Sequence, residues 1–240
     1  IVEVGSKKGN VMGFDKRTGK LLWTSKANDP AGHNGGPVPI TVEGVPCVAV
    51  LNHNGLLVVR IDKGREGETV ARYPWLTEWA NNIATPAVHE NTVLITSNYN
   101  FKKICKVEIT LKGAKKLWES DYSSKACSPV IHKGYVYWVW RTVHCLDFKT
   151  GKRVWEIRST FGNPGSCIVT SDDRLIVWGK RGRLLLADTA TRSPKKPNVL
   201  ALRDRITRHD SWPHAVLADG RLLLKDKQGN LLCFDLSGKR

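Results

Sequence analysis

The sequence has no run of about 18 apolar residues, and so no visible membrane-spanning helix. It has no CxxC pair and no CxxC…HxxxH arrangement, which removes the usual structural zinc sites. There is no GxxxxGK[ST] phosphate loop, no Asn-x-Ser/Thr sequon and no adjacent Cys-Cys pair. No histidine has a Ser or Cys partner suited to nucleophilic catalysis. Helical periodicity of useful length is missing too, so the chain reads as all-β. Its opening residues, IVEVGSKKGN, lack the pattern of a secretion signal and fall inside a repeat, so they say little about location.

What is present is basic charge and repetition. Against 22 Asp and Glu stand 38 Lys and Arg, a net charge of +16, with 41% hydrophobic residues over 240 positions. Such a surplus favours encounter with polyanions. The cations are nevertheless spread over many turns, as in a generally solubilising surface. Six cysteines, Cys47, Cys105, Cys127, Cys145, Cys167 and Cys233, lie mostly in apolar runs, where a thiol acts as a small buried hydrophobe. A disulfide between neighbouring repeats stays open, because spacing does not decide it.

Three stretches align: GFDKRTGKLLW (Gly13 to Trp23), CLDFKTGKRVW (Cys145 to Trp155) and CFDLSGKR (Cys233 to Arg240). With three weaker copies they give acidic markers at Asp15, Asp62, Glu108, Asp147, Asp188 and Asp235, separated by 47, 46, 39, 41 and 47 residues with a mean of 44. That period belongs to propeller blades. Before each marker come short strands rich in Val, Ile, Leu, Tyr and Trp, divided by turns at Glu43-Gly44, Glu90-Asn91, Lys133-Gly134, Asp172-Asp173 and Asp219-Gly220. Several strands are apolar at consecutive positions, as expected of sheets covered on both faces. The units run roughly 1–30, 31–75, 76–120, 121–160, 161–205 and 206–240, in one repeat domain over 1–240.

The repeated element has a physical logic. Asp15, Asp147 and Asp235 can accept hydrogen bonds from the following turn. Gly19 and Gly151 supply positive φ, and Trp23, Trp118 and Trp155 offer large apolar surfaces for packing between units. The pattern apolar-x-Asp-x-x-Thr-Gly-Lys-x-x-Trp resembles the tryptophan docking motif of quinoprotein-type β-propellers, including bacterial BamB-like lipoproteins. The resemblance covers essentially the whole chain but is strong in only two and a half copies. It implies four-stranded antiparallel blades, of which about six are visible, the first and last incomplete. It also implies a seven- or eight-bladed complete member and an extracytoplasmic, periplasmic bacterial setting. Either the two incomplete ends complete one shared blade or, as the length of the chain favours, the chain is a piece of a longer propeller.

In such propellers, loops entering the innermost strand and loops joining the second strand to the third gather at a channel mouth. Mapped by that resemblance, the candidates are His33, His53, Glu78, Trp79, Asn81, Asn98, Tyr99, Arg141, Lys180, Arg181, Asp210 and Trp212, with Asn34 in the first loop. This mixture suits a small anionic or planar ligand. It equally suits wet loops with tryptophans plugging a channel. The resemblance also raises pyrroloquinoline quinone with calcium, for which Glu78, Asn81, Asn82 and Asp210 are oxygen donors of the right type. Their spacing matches no family motif, so no cofactor and no catalytic residue is expected. Three readings follow: a non-enzymatic binding or scaffolding propeller with a protein partner or small anionic ligand, a quinoprotein oxidoreductase, and a polyanion-binding domain.

Overall fold

The computed structural model describes residues 1–33, 35–163 and 165–238. Among them 21 strands form six antiparallel sheets in chain order, three in a compact unit of residues 1–125 and three in a second unit of residues 126–240. Asn34 and the last two residues of the final repeat, Lys239 and Arg240, lie outside the described residues.

In the first unit, β1 (Val2–Ser6), β2 (Gly9–Phe14) and β3 (Leu21–Thr24) make a three-stranded sheet. The next two sheets hold four strands each: β4 (Val38–Val42), β5 (Val45–Asn52), β6 (Gly55–Arg60) and β7 (Thr69–Pro74), then β8 (Ala87–His89), β9 (Thr92–Asn98), β10 (Lys102–Thr110) and β11 (Gly113–Ser120). The continuous apolar run of β5 has a direct cause. Successive side chains of a strand point to opposite faces. Ala49 and Leu51 enter one core with Val93, Ile95, Val107 and Ile109. Val48 and Val50 enter another with Val11, Leu57 and Val59, against which Trp23 packs. A sheet covered on both sides needs both sets.

In the second unit the first sheet is β12 (Val130–His132), β13 (Tyr135–Asp147) and β14 (Arg153–Gly162). β13 is not extended throughout. The rings of Trp138 and His144 stack with centroids 4.7 Å apart, whereas six residues of strand would separate them by roughly 20 Å. The chain therefore folds back at Arg141, whose φ is 61°, and this one span supplies the second and third strands of the repeat. The second sheet is β15 (Gly165–Val169), β16 (Arg174–Gly179), β17 (Arg183–Asp188) and β18 (Val199–Arg203). The third is β19 (Val216–Ala218), β20 (Arg221–Lys225) and β21 (Leu231–Asp235). Ile176 and Trp178 of β16 meet Leu222 and Leu224 of β20 in a shared core. The first and last sheets of the chain have three strands, in line with partial first and last repeats.

Ten non-glycine residues have positive φ among the described residues. Five of them, Glu43, Glu90, Lys133, Asp173 and Asp219, sit in the hairpin turns that the repeat marks out. The other five, Trp79, Ala80, Arg141, Arg181 and Arg205, lie in loops or folds outside those hairpins. No helix is long and apolar enough to cross a membrane.

Candidate functional site

Three of the six acidic markers, Asp15, Asp147 and Asp235, accept from the turn that follows them. Asp15 Oδ1 accepts from the amide of Thr18 at 2.8 Å, its hydroxyl at 2.9 Å and the Arg17 amide at 3.0 Å. These bonds hold the Asp15 carboxyl below its ordinary range. Asp147 Oδ1 accepts from the Thr150 amide and hydroxyl, both at 2.7 Å. Asp235 Oδ1 accepts from the Ser237 amide at 2.8 Å. Gly19 and Gly151 follow with φ of 71° and 69°. Trp155 is buried, and its indole N–H donates to the Ser193 carbonyl of the next sheet at 3.2 Å. Trp118 is half-buried on β11, and Trp23 lies across Gly13, where an added Cβ would come within 2.2 Å of the indole nitrogen. Two tryptophans outside the repeated motif also bridge sheets: Trp75 donates to Ser97 Oγ at 3.2 Å and Trp178 to the Lys225 carbonyl at 3.3 Å.

Within the first unit the candidate loops meet. The His33 amide donates to the Asn82 carbonyl at 3.0 Å and the His53 amide to the Pro30 carbonyl at 3.1 Å. Fully buried Asn82 joins them: its amide donates to the carbonyls of Asn52 at 2.7 Å and Trp75 at 3.0 Å, and its oxygen accepts from Thr77 at 3.2 Å. The short 3-10 segment Glu78–Ala80 is tethered from the far side, where Asn100 Oδ1 accepts from the Glu78 amide at 2.8 Å. Asn81 is half-buried at its end. Trp79 and Ala80 have φ of 58° and 56°, and the Trp79 side chain is 83% exposed, with Leu76 beside it in sequence at 61%. Nearby, Asn98 hydrogen-bonds Ser123, and the Lys125 ammonium stands 4.9 Å from the Tyr99 ring centroid.

Two features of this unit were not signalled by any motif. Asp29 accepts from Asn54 and from Arg72 Nη1, each at 2.7 Å, beside a cavity of about 300 Å³. Burial pushes the Asp29 carboxyl up, but these two donors outweigh it and hold the group low. Glu3 shows the opposite result. Burial pushes its carboxyl up to about 7, and weak bonds from the Gly32 amide at 3.3 Å and the Asn10 amide at 3.4 Å do not offset it.

In the second unit the remaining candidates also come together, with the exception of Trp212, which is 46% exposed. Arg141 pairs with Gly162 across the strands, and a Cβ on Gly162 would lie 2.6 Å from Lys180 Cβ. Gly182 follows Arg181, and its amide donates to Ser211 Oγ at 3.3 Å. The Lys227 amide donates to the Asp210 carbonyl at 2.9 Å. A cavity of about 640 Å³ opens here, lined by Thr160, Lys180, Arg181, Arg183, Asp204 and Arg205. Of these, Lys180 and Arg181 were marked by the repeat. The others were missed, although two Arg-x-Arg triplets, at 181–183 and 203–205, bracket one hairpin and were there to be read. Deeper in this unit, Cys127 and Cys167 share a hydrogen bond that holds the first thiol low and the second high.

Of the four oxygen donors considered for calcium, Asn82 is fully buried and its oxygen accepts from Thr77, while Asp210 belongs to the second unit. Among the described residues, no group of three or more His, Cys, Asp or Glu is placed to hold a metal ion.

A family model described as outer membrane protein assembly factor BamB matches residues 1–157. BamB from Moraxella catarrhalis is similar in structure, with a TM-score of 0.61 and 17% identity over 85% of this chain and 58% of that one. The computationally designed protein Ika8 has a TM-score of 0.67 and 12% identity, covering 95% of this chain and 66% of its own. Saccharomyces cerevisiae Sqt1 has a TM-score of 0.65 and 15% identity, covering 91% and 66%. No curated protein matches the sequence. At these identities the likenesses show fold alone, that of repeated antiparallel propeller blades. The chain spans 58% of the length of the Moraxella protein and 66% of the other two.

Proposed function

We propose, on the premise that this chain belongs to the BamB family of repeat proteins, that it is a non-enzymatic docking module which holds a protein partner through the loops of residues 1–125. The observation that carries this reading is Trp79. A large apolar ring standing 83% exposed loses the hydration benefit of burial. It does so on backbone in the left-handed region, a conformation that costs of order 1–3 kcal/mol for a non-glycine residue. The Asn82 knot and the Asn100 tether fix that loop, so the ring is presented with little entropy left to lose on association. Exposed tryptophan on a rigid support is the residue type that dominates interface energetics. The family's description names an outer membrane protein assembly factor, which supports an extracytoplasmic bacterial setting for this chain as well.

The test is photocrosslinking from position 76, followed by calorimetry with the purified partner it identifies. Trp79→Ala is expected to weaken that binary complex at least tenfold without lowering the thermal midpoint. Equal affinity for the wild type and a Leu76→Ala/Trp79→Ala variant would remove the reading.

A further inference from the structure

We infer that the basic cavity of the second unit is a binding site for a small ligand carrying two adjacent phosphate-type groups. This goes beyond the docking reading and rests on different residues. Four cations and one carboxylate line the cavity of about 640 Å³, a size ordinary for a small-molecule site. The carboxylate is already committed, since Arg183 Nε donates to Asp204 at 2.5 Å. Arg183 Nη1 is held by Ser159 Oγ at 2.8 Å and the Thr160 carbonyl at 3.0 Å, so it forms a fixed wall rather than a free arm. Lys180, Arg181 and Arg205 are exposed and have no acidic partner among the described residues. With four cations against one carboxylate the lining keeps a surplus of positive charge, which a bound anion offsets.

The backbone supplies the second argument. Arg181 and Arg205 have φ of 54° and 58°, a conformation in which glycine would be easier. Each directly precedes a residue of one tight junction: the Ile206 amide donates to the Gly182 carbonyl at 3.0 Å, and a Cβ on Gly182 would lie 2.2 Å from the Thr207 nitrogen. That junction fixes the two strained arginines relative to one another. Strain of this sort marks sites where side-chain direction matters. Two guanidinium forks plus an ammonium match the several oxygens of a diphosphate, which takes paired hydrogen bonds from each fork. Among the described residues no aromatic ring lines the cavity, so a base or sugar has nothing there to stack on, and recognition falls to the anionic groups.

The test is calorimetry on the whole chain with inorganic pyrophosphate, orthophosphate and a long sulfated polysaccharide. Pyrophosphate is expected to bind at least tenfold more tightly than orthophosphate. Arg181→Gly/Arg205→Gly is expected to weaken it at least tenfold while the thermal midpoint holds or rises, because glycine suits both backbone positions. Lys195→Gln/Lys196→Gln removes the same charge from the same unit outside the cavity and should leave the affinity unchanged. Equal losses in the two double variants, no pyrophosphate binding at low salt, or binding of the polysaccharide alone would each overturn the proposal.

Discussion

Residues 1–125 hold 17 Lys and Arg against 12 Asp and Glu, whereas residues 126–240 hold 21 against 10, so the net charge of +16 divides into +5 and +11. Both units pair many of their cations, the second including Lys133 with Asp173 and Arg174 with Asp188, and they differ in what is left projecting. In the first, Arg72 is paired to Asp29 at 2.7 Å, Arg60 to Asp62 at 2.6 Å and Lys103 to Glu119 at 2.9 Å, and what projects is the apolar Trp79. In the second, Arg183 consumes Asp204, and the cations around it are left over. One repeat thus presents two surfaces. A charge satisfied inside the fold adds little field outside it, while a surplus confined to one cavity by low-dielectric walls concentrates potential there.

The comparison can be broken or sharpened by substitution, and the largest effect is expected in the second unit's scaffold. Trp155→Ala removes a buried indole and its bond to Ser193, and should cost about 3–5 kcal/mol in a denaturant titration. Half-buried Trp118 should cost visibly less on the same replacement. Asn82→Ala leaves the buried carbonyls of Asn52 and Trp75 without a donor, a loss of about 2–3 kcal/mol. Hydrogen exchange should then quicken at 30–33, 52–55 and 75–82 and leave residues 126–240 alone. Faster exchange in both units would mean that the loops of the first are not locked by their own asparagine.

Glu3 gives a pH-dependent contrast. Its folded-state carboxyl, pushed up to about 7 from the ordinary 4.5, binds a proton more tightly than the unfolded chain does. Its contribution therefore declines as pH rises from about 4.5 to about 7 and is constant on either side. Glu3→Gln should stabilise the protein by on the order of 2 kcal/mol at pH 8 and by nothing at pH 4, read from thermal midpoints. An equal gain at both values would contradict burial as the cause. The smallest effect belongs to Arg181→Gly, expected within about 1 kcal/mol and on the stabilising side.

How much was legible beforehand follows from the same residues. The blade period and its hairpins could be read because Asp-Thr-Gly turns and Glu-Gly or Lys-Gly hairpins demand particular backbone angles, and those demands are local. The doubled cores were legible in the consecutive apolar positions of β5. The reversal inside β13 was readable as a turn at Trp140-Arg141, although its outcome, Trp138 stacked on His144, was not. Of the residues on which the two proposals rest, Trp79, Lys180 and Arg181 could be counted off the repeat as loop positions. Asn82's bond to Asn52, the Asp29–Arg72 pair and the Arg183–Asp204 pair join positions 30, 43 and 21 residues apart. Such pairings depend on how sheets stack, and a single sequence carries no local record of that.

Hydrogen exchange of the intact chain with and without inorganic pyrophosphate tests the division between the two units most directly. The account predicts slowed exchange confined to residues 159–162, 180–183 and 203–207, with residues 1–125 unchanged. Slowing spread evenly over both units, or none at those three segments while the ligand is bound, would contradict it.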